Sequence, residues 1–264
     1  MARSKDPVKS DDSAILEGVD EVYDVVIVGA GAAGVGSAIA IQHAGVENFL
    51  LVDRDQVGSS FASWPAETRF ITPSFPSNSV GMLDLNSIAI GVSPAFSMRV
   101  EHPTGQEFAA HLQSLAEFFE LPIKEQTEIF SIEKDEGLFH LKTDASTLLA
   151  KNVVWAAGEY QYPSQSGFVG SDLCLHTSNV GKYGDLTGDD FLVIGGYESG
   201  IDAAYHLAMN GKHVRVFDVN CPWGEESSDP SIALSTFSFE RILDERFELN
   251  VELFAQTPIK SVTF

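Results

Sequence analysis

The stretch "YDVVIVGAGAAGVGSAIAIQHAGVENFLLVDRD", residues 23–55, decides the fold. It opens with the apolar run Val25–Val28, whose β-branched residues are typical of a strand buried on both faces. A glycine-rich turn follows, then a helical stretch that Gly45 closes, and then a second apolar run that ends at Asp53. The pattern predicts a strand, a tight turn, a helix and a second strand parallel to the first.

The spacing of the glycines indicates what this turn binds. Gly29 allows the tight turn, Gly31 lets backbone approach a pyrophosphate, and Gly34 lets the helix pack closely on the strand. Asp53 lies 19 positions after the last glycine, where a carboxylate accepts hydrogen bonds from ribose hydroxyls. The helix N-terminus would face the phosphates. We therefore expect a dinucleotide site that also includes Ala32, Ala33 and Arg54.

A second copy of this unit is "DFLVIGGYESGIDAAYHLAMNGKHVRVFDVN", residues 190–220. Its outer glycines, Gly195 and Gly200, lie 166 residues after those of the first copy, and Asp218 follows Gly200 by 18 residues. Tyr197 stands where the middle glycine is expected, and a tyrosine adds bulk and does not readily adopt a positive φ. We predict an altered dinucleotide site made of Gly195, Gly196, Tyr197, Glu198, Ser199, Gly200 and Asp218. The alternatives are incidental glycines in both copies, or a vestigial second site that Tyr197 fills.

Charge and cysteine content limit the partners. The chain carries 38 acidic and 16 basic residues, so its net charge of −22 argues against nucleic acid and anionic membranes as partners. The two cysteines form no CxxC motif, and no His, Cys, Asp or Glu cluster has metal-ligand spacing. A reducing, cytoplasmic location and a site without metal are expected.

Residues 25–46 carry no charge and are long enough to span a membrane, but four glycines in residues 29–36 favour a strand, a turn and a helix. We expect residues 1–22 to form a flexible acidic tail, and we find no pattern of a secretory signal in them. Residues 104–122 predict a helix that carries Leu112, Leu115, Phe118 and Phe119 on its apolar stripe. His111 on this helix is expected to face solvent or the edge of the core. Further expectations are a β-hairpin in residues 127–144 and strands in residues 251–255 and 259–264.

Four stretches carry a resemblance to a known family: "VVIVGAGAAG", "VGSSFASWP" with "TRFITPSFPSN", "VVWAAGEYQYP", and "LVIGGYESGIDAAYHLA". From about Tyr23 to its end, the chain resembles flavin-dependent oxidoreductases with two dinucleotide-binding domains. Within them it is similar to CzcO-like flavin-containing monooxygenases and, more distantly, to bacillithiol disulfide reductases.

The resemblance implies an α/β protein with two Rossmann-like three-layer domains. An FAD-binding domain would span residues 23–158, and an NAD(P)-binding domain, apparently incomplete, residues 159–264. NADH or NADPH would pass a hydride to FAD, and the reduced flavin would pass electrons to oxygen and a substrate. This transfer demands no acid–base side chain, so no catalytic residue is predicted. Further residues expected to contact FAD are Ser60, Phe61, Trp64, Thr72, Glu128, Ile129, Ala157 and Gly158. For Phe61 and Trp64 a purely structural role in the core is equally open.

The chain departs from the family pattern in several places. Pro73 stands where monooxygenases of this kind carry an asparagine, and Ala33 stands where the disulfide reductases carry a cysteine. Asp218 would repel a 2′-phosphate, which favours NADH over NADPH.

Relatives return a Gly-Asp pair to the flavin after the second domain. Gly184-Asp185 precedes the second motif and is not that pair, so we expect either a fragment or a flavin site without this wall.

Two other functions stay open. One is an NADH-dependent flavin reductase that acts on a small acceptor, and the other is a truncated, non-catalytic nucleotide-binding protein. A homodimer is one open assembly.

Overall fold

The computed structural model describes residues 22–75, 84–159, 162–164 and 167–263. Residues 1–21 of the expected tail, residues 76–78 of the segment after the second strand, and Tyr160 and Gln161 of the expected hinge lie outside the described residues. Among the helices of the described ranges, none combines the length and the apolar character needed to cross a bilayer.

A six-stranded mixed sheet organises the first half of the chain, which is called the first unit. Its strands are β1 Val22–Val28, β2 Phe49–Val52, β3 Ile123–Lys124, β4 Ser131–Asp135, β5 Leu138–Lys142 and β6 Thr147–Trp155. They lie in the order β3-β2-β1-β6-β5-β4. Strands β2 and β6 run parallel to β1, β3 runs parallel to β2, and β4 and β5 are antiparallel neighbours. The helices of this half are α1 Ala32–His43, α2 Ser59–Ala62, α3 Pro94–Ser97 and α4 Gly105–Phe118.

Strand β6 connects the parallel and the antiparallel parts of this sheet. Its first residues, 147–150, pair antiparallel with β5, while residues 149–155 pair parallel with β1. The expected hairpin is confirmed as β4 and β5. The two turn residues, Glu136 and Gly137, both have positive φ (46° and 88°), which matches the twist of the flanking strands.

A three-stranded parallel sheet organises the second half, which is called the second unit. Its strands are β7 Asp190–Ile194, β8 His213–Phe217 and β9 Val251–Phe254, in that order. Helices α5 Glu198–Met209, α6 Thr236–Ile242 and α7 Glu245–Asn250 accompany them. The strand expected in residues 259–264 is not found in residues 259–263, the part of it that the structure describes. The chain there runs beside Val169, and an isolated bridge forms between Val169 and Ser261.

Helix α4 packs one face on the core beside α1. A capping box starts it, in which Glu107 N–H donates to Thr104 Oγ1 while the Glu107 side chain accepts from Thr104 N–H. One stripe expectation needs correction, and one of the two places expected for His111 is excluded. Phe118 is 76% exposed, because Phe119, one residue past the helix end, takes the next inward place. His111 is buried and does not face solvent. The fold as a whole is α/β, with one strand–turn–helix–strand motif in each unit.

Candidate functional site

The first glycine turn joins β1 to α1 at the carboxyl end of the parallel strands. Gly29 has φ of 105° and donates its N–H to the Val52 carbonyl at 2.8 Å. The Asp53 carboxylate holds the turn from below, because Oδ2 accepts the Ala30 N–H at 2.6 Å and Oδ1 accepts the Asp55 N–H at 2.8 Å. Both oxygens keep further lone pairs, so Asp53 is still able to accept from ribose hydroxyls.

Close packing explains two of the three predicted glycines. A Cβ on Gly29 would lie 2.3 Å from the Ala156 carbonyl oxygen, and a Cβ on Gly34 would lie 1.7 Å from the Gly29 oxygen. Gly31 differs, because the nearest atom to its added Cβ is Ser60 Oγ at 3.9 Å. Because Gly31 has no side chain, the space at the start of α1 stays open. Ala32 and Ala33, which also have small side chains, are the first two residues of α1.

A cavity of about 310 Å³ opens beside this turn. Its volume lies at the lower end of the range for ligand pockets, about 300–1,000 Å³. Seven predicted residues meet here: Gly29, Asp53, Arg54, Glu128, Ile129, Ala157 and Gly158. The structure adds lining residues that the sequence analysis missed: Val28, Thr127, Trp155, Glu159 and Tyr162. The signal for them was topological, since β1, β2 and β6 end at the same sheet edge.

Two aromatic side chains and one cation border the cavity. Trp155 is 63% and Tyr162 is 83% exposed, although both are large aromatics. The Arg54 guanidinium hydrogen-bonds the Tyr162 side chain, and this contact raises the pKa of Arg54. Arg54 and Tyr162 thus join the end of β2 to the segment after β6 at the rim of the cavity.

The other predicted flavin contacts do not line this cavity. Phe61 and Trp64 belong to an aromatic cluster with Phe70 and Phe108, with ring centroids 4.5 to 5.7 Å apart. This packing supports the structural alternative for both residues. Ser60 is exposed on α2, close to the open space at Gly31. The Thr72 carbonyl accepts from the side-chain amide of buried Asn86 at 2.9 Å.

The second glycine turn repeats the first almost bond for bond. Gly195 has φ of 96° and donates its N–H to the Phe217 carbonyl at 2.8 Å. Asp218 Oδ2 accepts the Gly196 N–H at 2.6 Å, and Oδ1 accepts the Asn220 N–H at 2.7 Å. A Cβ on Gly200 would lie 1.8 Å from the Gly195 oxygen. The turn is therefore a true structural repeat, not a crossover with incidental glycines.

The expected backbone conflict at Tyr197 does not occur. Its φ and ψ are −84° and −167°, almost identical to the −80° and −166° of Gly31. The middle position of the motif lies in the extended region, which any residue adopts, so bulk is the only issue there. The Tyr197 hydroxyl contacts the carbonyls of Pro230 and Ala233, the latter at 3.1 Å. Burial, together with the Glu198 and Asp229 carboxylates, raises the pKa of Tyr197.

The segment between β8 and α6, residues 219–235, is the crossing segment. Three consecutive residues of the second turn hold it. The Trp223 ring packs on Gly196 so closely that a Cβ there would lie 2.3 Å from Cζ3. Tyr197 contacts two of its carbonyls, and the Glu198 carboxylate accepts from the N–H and hydroxyl of Ser235. Gly195 and Ser199 of the same turn stay exposed.

His111 and both cysteines lie outside the two glycine turns. His111 Nδ1 contacts Ser97 Oγ at 3.1 Å, and burial lowers the pKa of His111. Cys174 and Cys221 are free thiols. In the part of the chain that the structure describes, no group of three or more His, Cys, Asp or Glu side chains is arranged to hold a metal ion.

This arrangement of two glycine turns, each with its acidic partner, is that of a Rossmann-like dinucleotide-binding protein. Residues 26–264 match the family model of the pyridine nucleotide-disulphide oxidoreductases, and the chain belongs to that family.

Individual proteins extend the comparison. The chain is 28% identical over 193 residues to an uncharacterized oxidoreductase CzcO of Bacillus velezensis, which covers 71% of this chain and 52% of the relative. It is 29% identical over 222 residues to a FAD-dependent urate hydroxylase of Xanthomonas campestris, covering 74% and 45%. The bacillithiol disulfide reductase Bdr of Staphylococcus aureus superimposes with a TM-score of 0.73 at 20% identity, over 92% of this chain and 69% of that one. The chain thus spans about half the length of the curated relatives it matches.

Proposed function

We propose that the first unit binds FAD through its glycine turn and the adjoining cavity. The observation that carries this proposal is the convergence of seven predicted residues around one 310 Å³ cavity. The residues present fit the adenosine half of FAD. Asp53 offers carboxylate oxygens to the ribose, and the start of α1 faces the pyrophosphate. Glu128 and Ile129 would offer backbone groups to the adenine.

The second unit would hold the nicotinamide nucleotide at Gly195 and Ser199, the exposed part of its turn. Asp218 would accept from the ribose hydroxyls and repel a 2′-phosphate, and the residues after it, Val219 and Asn220, bring no cation. NADH is therefore the proposed donor. FAD would supply the chemistry, taking a hydride from NADH and delivering electrons to oxygen or another acceptor.

Two activities are compatible with these sites. The CzcO-like resemblance and the similarity to a FAD-dependent urate hydroxylase favour a monooxygenase that acts on a small molecule. Pro73, at the place of the family asparagine, favours simple reduction of an acceptor instead. We propose the monooxygenase type first and the reductase second, in a cytoplasmic compartment that suits the two free thiols.

The test is the visible absorption spectrum of the purified chain with added FAD, recorded before and after NADH in the absence of air. We expect a bound-flavin spectrum that bleaches with NADH. Readmitted air with candidate substrates then separates an oxygenated product from plain NADH oxidation. A folded chain that takes up no FAD would overturn the proposal in favour of a non-catalytic nucleotide-binding protein. A flavin spectrum that NADH leaves unchanged would refute the second site.

A further inference from the structure

A buried polar cluster lies where the two units meet. Asp202, in the second turn of α5, has a side chain only 9% exposed, and Arg241 of α6 has one 10% exposed. The Arg241 guanidinium pairs with Asp202 Oδ1, and His206 Nε2 lies 3.3 Å from the same oxygen. Asp202 Oδ2 accepts from the Thr68 hydroxyl at 2.7 Å. One carboxylate thus joins two helices of the second unit to a loop of the first.

Asp202 carries its charge in this buried place. Burial alone would raise the pKa of Asp202, but the His206, Thr68 and Arg241 contacts outweigh it and lower the pKa below its usual value. A buried ion pair of this kind is costly to break, because the remaining charge stays without a partner.

The two residues before Thr68 also form hydrogen bonds to the second unit. The Ala66 N–H donates to the Gly181 carbonyl at 2.9 Å. The Glu67 carboxylate accepts the N–H groups of Tyr183 and Gly184, each at 3.1 Å. Residues 66–68 are therefore fixed to the second unit through main chain and side chain together.

A ring contact reinforces the junction from the other side. His102 of the first unit stacks on Phe237 of α6, with centroids 4.0 Å apart and planes 17° from parallel. Arg241 lies over the same Phe237 ring at 4.2 Å. The residue that pairs with Asp202 thus also orders the aromatic contact between the units.

The position of this junction gives it a role. Thr68 is four residues before Thr72, in the segment that we expect to pass the flavin. Asp202 is four residues after Glu198, so it lies one helical turn after the start of α5, where the second glycine turn enters the helix. Helix α5 therefore links the proposed nicotinamide site rigidly to the proposed flavin segment.

We propose that Asp202 is a positioning residue, which holds residues 66–72 through Thr68 so that this segment meets the flavin in one conformation. The inference rests on the proposed FAD site of the first unit. Asp202 contacts no reacting atom in this account and acts only through the loop. Its counterpart in the first repeat, 166 residues earlier, is Gly36, so the device belongs to the second copy alone.

The test uses Thr68→Val, which removes the hydroxyl, with Thr68→Ser as the rescuing variant and Asp202→Asn as the second lesion. Asp189→Asn is the matched control, because Asp189 is an exposed carboxylate of the same unit. Amide hydrogen exchange of Ala66 in the FAD-free chain is the first readout, since its N–H bonds across the junction. The absorption maxima of added FAD are the second.

In Thr68→Val and Asp202→Asn we expect exchange at Ala66 to rise at least about tenfold, while β7 to β9 keep wild-type rates. The FAD maxima should shift, and Thr68→Ser and Asp189→Asn should match wild type. Unchanged exchange at Ala66, an equal rise across the second sheet, or unshifted FAD maxima would each overturn the positioning role. A chain that binds no FAD would overturn the proposed function, while exchange at Ala66 would still decide whether Asp202 fixes the loop.

Discussion

The two glycine turns have the same backbone conformation, but the helices that follow them carry side chains of different size and polarity. Each is closed by one main-chain bond to the following strand and by one aspartate that accepts two N–H groups. The first helix then continues with glycine and alanine, whereas the second carries polar or aromatic groups. At the constant offset of 166 residues the replacements are Gly31 to Tyr197, Ala32 to Glu198, Gly36 to Asp202 and Ala40 to His206.

This difference teaches that the motif has a fixed part and a free part. The fixed part is the positive φ of the first glycine, the close contact of the third glycine with the carbonyl of the first, and the aspartate, and both copies keep all three. The free part is the helix face, where the first copy carries small residues such as Gly36, whose added Cβ would lie 3.4 Å from Ile88. The second copy uses that face to hold the crossing segment and the loop at Thr68.

The largest expected effect tests the fixed part. Gly34→Ala and Gly200→Ala should each destabilise the chain by about 3 kcal/mol or more, because the new Cβ would collide with a carbonyl oxygen. Urea unfolding measures the loss, and Gly181→Ala is the control, since nothing lies within 4 Å of its added Cβ. If only one of the two variants is destabilised, the copies are not equivalent.

A smaller effect is expected at the second position of the motif. Ala30 is fully buried in the first turn, whereas Gly196 leaves room that the Trp223 ring fills. Gly196→Ala should cost about 1 to 2 kcal/mol, because the ring must move. Trp223→Ala in the same chain should remove most of the penalty of the Gly196 change. Additive losses in the double variant would show that the two residues do not interact.

The hydroxyl of Tyr197 should contribute less. Tyr197→Phe should lower the free energy of unfolding by about 1 kcal/mol, since it deletes the contacts to Pro230 and Ala233. Because the pKa of Tyr197 is raised in the folded state, this contribution is complete below the ordinary tyrosine value of about 10 and fades as pH rises further. Unfolding at several alkaline pH values checks this, and wild type and variant should converge. A constant difference would contradict the assignment.

The smallest effect on stability is expected at Gly31. Gly31→Ala should change the free energy of unfolding by less than about 0.5 kcal/mol, because φ is negative and the nearest atom is 3.9 Å from the new Cβ. Binding of FAD should nevertheless weaken, since the Cβ enters space at the start of α1 that we assign to the pyrophosphate. Fluorescence titration with FAD measures this affinity. An unchanged affinity would show that the pyrophosphate does not bind beside Gly31.

Much of this could be predicted from the sequence, because local rules govern it. The glycine spacing predicted both turns, and the Glu136-Gly137 pair predicted the hairpin. Of the proposed FAD site, the residues in or beside the motifs were predicted, but Trp155 and Tyr162 were not. Phe61 and Trp64 pack in an aromatic cluster with Phe70 and Phe108. These outcomes depend on contacts between distant segments, as does the bond from Thr68 to Asp202, and local patterns do not encode them.

The matched pair Asp53→Asn and Asp218→Asn tests the central claim most directly, with FAD and NADH affinities measured for each by fluorescence titration. Asparagine keeps one acceptor oxygen and replaces the other with an amide NH2, so it loses the negative charge, one hydrogen bond of the turn and acceptor sites for the ribose hydroxyls. We predict that Asp53→Asn weakens FAD binding at least about tenfold and leaves NADH unchanged, and that Asp218→Asn does the reverse. Loss of the same ligand in both variants, or of neither, would contradict the assignment of one nucleotide to each copy.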